Sequence, residues 1–134
     1  MKNILVDMSA TIIHHGHIRL LKKASKYGKV VVALTTDEEI KKSKGYIPEL
    51  NFNQRKEILK NIKFVSSVIS SSWLIDEKFL KKHKIDLLVH GHDCSNPIEK
   101  GKKIIFKRTK GISSNNIRKK IIKNFLKKNY KTFK

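Results

Sequence analysis

The sequence predicts an α/β fold: a Rossmann-like, doubly wound sheet of five parallel strands with helices on both faces. Three observations predict it. Short apolar runs rich in Val, Ile and Leu alternate along the chain with stretches of helical periodicity. Several of those runs lack the in-out alternation of a half-exposed strand, as strands buried on both faces should. The resulting β-α-β order requires crossover helices that lie on the sheet.

The strands are expected at Lys2–Asp7, Lys29–Thr35, Phe64–Ser70, Ile85–His90 and Lys103–Lys107. A first helix follows over Gly16–Tyr27, where Ile18, Leu20, Leu21 and Ala24 recur at helical spacing and Tyr27-Gly28 supplies a stop. A second spans Asn53–Ile62, capped by Asn51 or Asn53, and a third spans Leu74–His83. The last runs from Ser113 or Ser114 to the neighbourhood of Lys128, and Lys41–Asn53, with Gly45 and Pro48, is the longest irregular stretch. In such a sheet ligands bind beyond the carboxyl ends of the strands, where strand order reverses. Residues 8–17, 90–95 and 108–114 are therefore the candidate segments.

At 134 residues the chain is expected to be a single domain over 1–134, with a basic C-terminal helix and tail beginning near residue 115. No stretch reaches the roughly 18 apolar residues of a membrane span, and the strand-like start does not read as a secretory signal. The one cysteine, Cys94, cannot form an internal disulfide, so a cytoplasmic location is expected. The net charge is +20, yet of 31 basic residues only Arg19, Arg55, Arg108 and Arg118 are arginine. Abundant Lys, Asn and Ile is what an AT-rich genome produces, and the same charge also makes a field that gathers anions. A basic nucleic-acid-binding domain is the non-catalytic alternative. With so few arginines and no array of stacking aromatics, no specific nucleic-acid partner is expected.

The run His14-His15-Gly16-His17 falls between the first strand and the first helix. Unpaired N–H groups and the helix dipole favour anions there, and the glycine lets a phosphate approach the backbone closely. A zinc site drawn from His14, His15, His17, His90 and His92 is the rival reading. It lacks the further histidine of an H-x-H-x-D-H pattern and has no cysteine cluster. A second anion site is expected at Arg108-Thr109-Lys110-Gly111-Ile112-Ser113-Ser114, where a guanidinium fork precedes a serine-capped helix.

These motifs resemble, in order and spacing, those of the small cytidylyltransferases of the HxGH-bearing nucleotidyltransferase superfamily, the glycerol-3-phosphate and ethanolamine-phosphate enzymes among them. His14–His17 is similar to the HxGH element and Arg108–Ser114 to R-T-x-G-I-S-[ST]. Thr36-Asp37-Glu38-Glu39-Ile40, Lys44-Gly45 and Gln54-Arg55 are similar to T-D-E … K-G … E/Q-R, and Val89-His90-Gly91-His92-Asp93 to a V-x-G-x-D loop. The similarity covers residues 2 to about 122.

The resemblance implies transfer of CMP from CTP to a small phosphorylated alcohol, with release of pyrophosphate. It implies that His14 and His17 bind the triphosphate and stabilise the leaving pyrophosphate. Lys44 would reach from the 41–53 loop to the α-phosphate or the acceptor phosphate. Asp93 and Arg108 would hold the cytidine, while Ser9, Ala10, Gly16, Thr109, Gly111, Ile112, Ser113 and Ser114 complete the nucleotide site. Arg55 and Trp73 are placed at the acceptor, Arg55 alternatively at a subunit interface. No protein metal site is implied, since Mg2+ comes with CTP. Two departures stand out. Met8-Ser9-Ala10-Thr11 replaces the family's G-[TV]-F-D, so Thr11 stands where an acid is usual, with Asp7 nearby. Lys63–Val68 replaces R-Y-V-D-E-V, the segment through which family members often pair, and a homodimer is expected. Adenylyl transfer to a phosphorylated cofactor precursor is the alternative, because HxGH is shared with adenylyltransferases and Ile112-Ser113-Ser114 with Ile117-Arg118 is similar to their I-S-S-T-x-I-R ending. The tail after Ser114 carries an apolar stripe of Ile117, Ile121, Ile122 and Phe125 among its cations, which suits weak contact with an anionic membrane.

Overall fold

The structure, a computed structural model, describes residues 1–91 and 96–127. Its strands are β1 (Asn3–Met8), β2 (Lys29–Thr35), β3 (Ser67–Ser71), β4 (Leu87–His90) and β5 (Lys103–Ile105). Its α-helices are α1 (His15–Ser25), α2 (Asp37–Lys44), α3 (Phe52–Lys60), α4 (Glu77–Lys82) and α5 (Ser114–Phe125). The strands form one parallel sheet in the order β3-β2-β1-β4-β5. The chain winds outward from β1 to β3 and then continues on the other side of β1, so strand order reverses between β1 and β4.

Alternation along the strands divides the core into two layers. Ile4, Val6, Met8, Val30, Val32 and Leu34 pack with Leu21 and Ala24 of α1 and Leu59 of α3. Leu5, Ala33 and Leu88 face the other way and pack with Leu80 of α4, Ile75 and Ile98. Helices therefore cover both faces, as the unalternating apolar runs require. The turn into β2 depends on Gly28, where a Cβ would stand 2.3 Å from the carbonyl oxygen of Lys2.

β2 occupies the expected residues, and the other elements differ at their ends. β3 begins at Ser67 rather than Phe64, because Phe64 and Val65 pack against the core from the turn that precedes it. The larger correction is α2, within and before the stretch expected to be irregular. Thr36 caps it by accepting from the Glu39 N–H at 3.3 Å. Asp37, Glu38 and Glu39 match the positive end of its dipole, Lys41, Lys42 and Lys44 the negative end. Gly45 ends it in a left-handed conformation with φ 78°. Ile40 is its only buried residue, so it carries no apolar period to be read.

No residue of α5 is buried. Its N-terminus is fixed by the Ser114 hydroxyl, which donates to the Ile12 carbonyl at 3.0 Å and accepts from the Ile12 N–H at 3.3 Å. Among the described residues, no helix is long and apolar enough to cross a membrane.

Candidate active site

A cavity of ≈ 370 Å³ opens beyond the carboxyl ends of β1 and β4, at the reversal point of the sheet. The first turns of α1 and α5 both line it. Five cations line it as well, Arg19, Lys23, Lys44, Lys107 and Arg108, against one acid, Asp7, among the described residues. Two helix N-termini and that imbalance of charge make the cavity suited to a polyanion.

The histidines cap their own helix. The Gly16 N–H donates to His14 Nδ1 at 3.1 Å, and the His14 N–H donates to His17 Nδ1 at 3.1 Å. Each Nδ1 is thus an acceptor, which places the single proton of each neutral ring on Nε2. The rings lie with centroids 4.0 Å apart, so two Nε2–H donors stand side by side over the helix N-terminus. Gly16 permits this closeness. A Cβ there would lie 2.8 Å from His14 Cε1 and 2.9 Å from His14 Nδ1, displacing the ring from its cap.

Burial pushes the His17 pKa down to about 4, with the neighbouring His14 adding to the effect. Burial, and then His15, lower that of His14. Protonation at Nδ1 would also oppose the backbone donors, so the capped arrangement belongs to neutral rings. A stability consequence follows from the sign of the shift. Between pH 6.5 and about 4 the unfolded chain binds a proton at His17 that the folded chain does not. Stability is therefore complete above pH 6.5 and falls as pH drops toward 4, by on the order of 3 kcal/mol from this group. Proton NMR should show the His17 ring titrating near 4 in the free protein; a midpoint near 6.5 would contradict the capped, buried geometry.

Behind the histidines, a buried side chain holds the start of the β1–α1 segment. Arg55 of α3 is 0% exposed and donates from Nη1 to the carbonyls of Ser9 at 2.6 Å and Thr35 at 3.0 Å. Its Nε donates to Leu50 O at 3.1 Å and its Nη2 to Asp37 Oδ1 at 2.6 Å. Next to Ser9, Ala10 is buried with φ 45°, a left-handed conformation that a non-glycine residue holds only where its surroundings enforce it. On the opposite wall, His90 Nδ1 bonds Asp7 Oδ1. Asn96 Nδ2 donates to Asp7 Oδ2 at 2.8 Å, and the Ile75 N–H donates to Asn96 Oδ1 at 2.7 Å.

The cytidylyltransferase-like family model matches residues 9–132. The chain belongs to this cytidylyltransferase-like family. A glycerol-3-phosphate cytidylyltransferase of Staphylococcus aureus is 35% identical over 129 residues, covering 90% of this chain and 96% of the relative. The ethanolamine-phosphate cytidylyltransferase of Arabidopsis thaliana is 33% identical over 130 residues, covering 85% of this chain but 31% of the relative. The chain thus spans about a third of that longer protein. The crystal structure of a lipopolysaccharide core biosynthesis protein from Thermoplasma volcanium shares the fold, with TM-score 0.67 and 22% identity, covering 84% of this chain and 99% of that one.

In this cytidylyltransferase-like chain, His14, Gly16, His17, Ser9, Ala10, Lys44, Trp73, Arg108, Thr109, Ile112, Ser113 and Ser114 all line the one cavity. Lys44 does so from the last residue of α2 rather than from a loop, with its Nζ 5.6 Å from the Trp73 ring centroid. Ser113 caps α5 by accepting from the Asn116 N–H at 3.0 Å. Asp93 lies outside the described residues, as does His92. Two expected site residues do not line the cavity. Gly111 forms the turn before α5 with φ 75°. Arg55, expected at the acceptor or an interface, is fully buried with its donors spent on backbone and Asp37, so it holds the site from behind. Among the described residues no three His, Cys, Asp or Glu side chains converge in a way that could hold a metal ion.

Of the Asp7–His90–Asn96 group the motifs mark His90 alone, and the pairing of Asp7 with His90 and Asn96 is what they did not reveal. Its signal in the sequence is faint: an aspartate and a histidine near the ends of two apolar strands that prove adjacent. Thr11, at the usual position of an acid, is buried, with the Tyr46 hydroxyl 3.5 Å from its Oγ1.

Proposed function

We propose that this chain moves CMP from CTP to a small phosphorylated alcohol, forming a CDP-alcohol and pyrophosphate. The observation that carries this reading is the convergence of two helix N-termini, paired Nε2–H donors and five cations on one cavity with a single described acid. A phosphate monoester oxygen attacks the α-phosphorus in line, the new P–O bond forms, and the bond to pyrophosphate breaks. The nucleophile is already anionic, so the protein's task is to hold two polyanions together and offset the charge between them. In this reading His14 and His17 donate to the triphosphate as pyrophosphate departs, Lys44 bridges to the α-phosphate or acceptor phosphate, and Arg108 with the α5 N-terminus holds the nucleotide.

CTP enters this reading as its magnesium complex. Asp7, the described carboxylate of the cavity, is already bonded to His90 and Asn96. An Mg2+ ion carried in with CTP would ask little more of the protein and would neutralise part of the phosphate charge. The enzyme in this reading pairs through residues 63–68, which lead into the edge strand β3, and its exposed basic C-terminal helix touches anionic lipid weakly.

The relatives named above include both glycerol-3-phosphate and ethanolamine-phosphate enzymes. Pyrophosphate release measured with CTP or ATP against glycerol 3-phosphate and phosphoethanolamine tests the reading. Turnover with CTP and either acceptor is the expected result. Turnover with ATP alone would replace cytidylyl by adenylyl transfer, and none with either nucleotide would favour a binding module.

A further inference from the structure

Beside the cavity, Arg118 makes a contact with Glu49 that the motifs do not express. Lys44 ends α2, and Gly45 follows it in a left-handed turn with open space around it. From there residues 45–51 lead to α3. This loop is tied down at its far end, where Leu50 O accepts from buried Arg55. Near its middle it is tied to α5. Arg118 donates from Nε to Glu49 Oε1 at 2.8 Å and from Nη2 to Glu49 Oε2 at 2.7 Å, a two-pronged pairing. The same guanidinium lies over the Tyr46 ring, 4.6 Å from its centroid, and the Tyr46 hydroxyl stands 3.5 Å from Thr11 Oγ1. Arg118 is one helical turn beyond Ser114, which is itself bonded to the backbone of Ile12. Three segments meet at this point: the β1–α1 segment and α5, which line the cavity, and the α2–α3 loop, which follows directly on the cavity residue Lys44.

Resting on the reading of the cavity as a CMP-transfer site, we propose that the Glu49–Arg118 pair is a latch that fastens the α2–α3 loop to α5 and so positions Lys44 over the reacting phosphates. Arg118 does not line the cavity and is a positioning residue. The pairing gives a physical reason for its geometry. Lys44 stands at the last position of α2 with its Nζ 5.6 Å from the Trp73 ring centroid, and the glycine that follows leaves this helix end the freedom to shift. A bidentate pair stacked on a tyrosine supplies the fixed point that the glycine removes. The Arg118 hydrogen bonds hold the Glu49 carboxyl down to about 2, so the contact is fully charged at neutral pH.

The test uses the full chain with Arg118→Leu, Glu49→Arg and the charge-swapped double variant Glu49→Arg/Arg118→Glu. Each single variant should lower kcat about tenfold or more, with KM for CTP within about twofold, the pattern of a misaimed transition-state group. The swapped pair should recover most of the loss. In a Lys44→Ala background, Arg118→Leu should cost less than about twofold more, because a residue acting only through Lys44 has nothing left to position. Hydrogen exchange without nucleotide should quicken about tenfold at the Gly45, Asn51 and Phe52 amides, which are hydrogen-bonded at the two ends of the loop, in Arg118→Leu. That readout holds whether or not CMP transfer is the reaction. Unchanged exchange, single variants with wild-type kcat, a swapped pair no better than the singles, or a further tenfold loss without Lys44 would each overturn the latch.

Discussion

His17→Ala is expected to lower turnover at least about a hundredfold, the scale found when one preorganised donor to developing charge is removed, or about 2.7 kcal/mol of barrier. The ring occupies two roles at once. Its Nδ1 accepts the His14 N–H, and that bond leaves Nε2–H facing outward from the helix start. Alanine removes the donor and also unpairs the backbone at the residue whose own ring caps the helix, so the aim of His14 suffers with it. The neutral state strengthens the expectation. A ring whose pKa is held near 4 is a dipolar donor at pH 7, already set and needing no proton from solvent as pyrophosphate leaves. The loss should appear in kcat and kcat/KM alike, since the interaction grows as the bond to pyrophosphate breaks. Steady-state kinetics with saturating acceptor decides it. A variant with undiminished kcat would remove His17 from the chemistry and leave it as a cap.

The part of this site that could be read from the sequence is the part built from neighbours in the chain. His14, Gly16 and His17 share one turn, and Arg108 to Ser114 form one short run, so their chemistry shows in their spacing. β2 was legible for a similar reason: Val30 to Leu34 is an unbroken apolar run, and burial on both faces leaves that mark. α2 left no such mark. It is a polar helix held by its cap, its end charges and Ile40, and its evidence lies in end signals rather than in periodicity. Asp7 and His90 are 83 residues apart and meet only because β1 and β4 are adjacent. Arg55 illustrates the same limit from the other side. Its motif marked it as important, but whether a guanidinium reaches a ligand or a set of carbonyls is decided by packing that sequence spacing does not express.

That packing gives the second large expectation, for Arg55→Leu. Replacing a buried ion pair by apolar residues is often harmless when both partners are replaced together. Here the partners cannot be replaced. Three of the four groups that Arg55 satisfies are backbone carbonyls, of Ser9, Thr35 and Leu50. Leucine would leave them facing an apolar side chain, each costing about 1–3 kcal/mol if it stays dry. Asp37 is less exposed to the loss, because its side chain is 37% accessible and its Oδ2 still accepts the Phe52 N–H at 3.0 Å. With some relaxation the variant should lose about 3–5 kcal/mol, a large share of the roughly 5–15 kcal/mol that holds a domain of this size. The urea midpoint should fall accordingly. Arg55→Lys should fare little better, since one ammonium cannot span three carbonyls and a carboxylate. The damage should also reach the cavity, because Ser9 leads into the left-handed Ala10 and then to the histidines. A leucine variant within about 1 kcal/mol of wild type would mean that water replaces the guanidinium at those carbonyls, and that the β1–α1 turn is held by something other than Arg55.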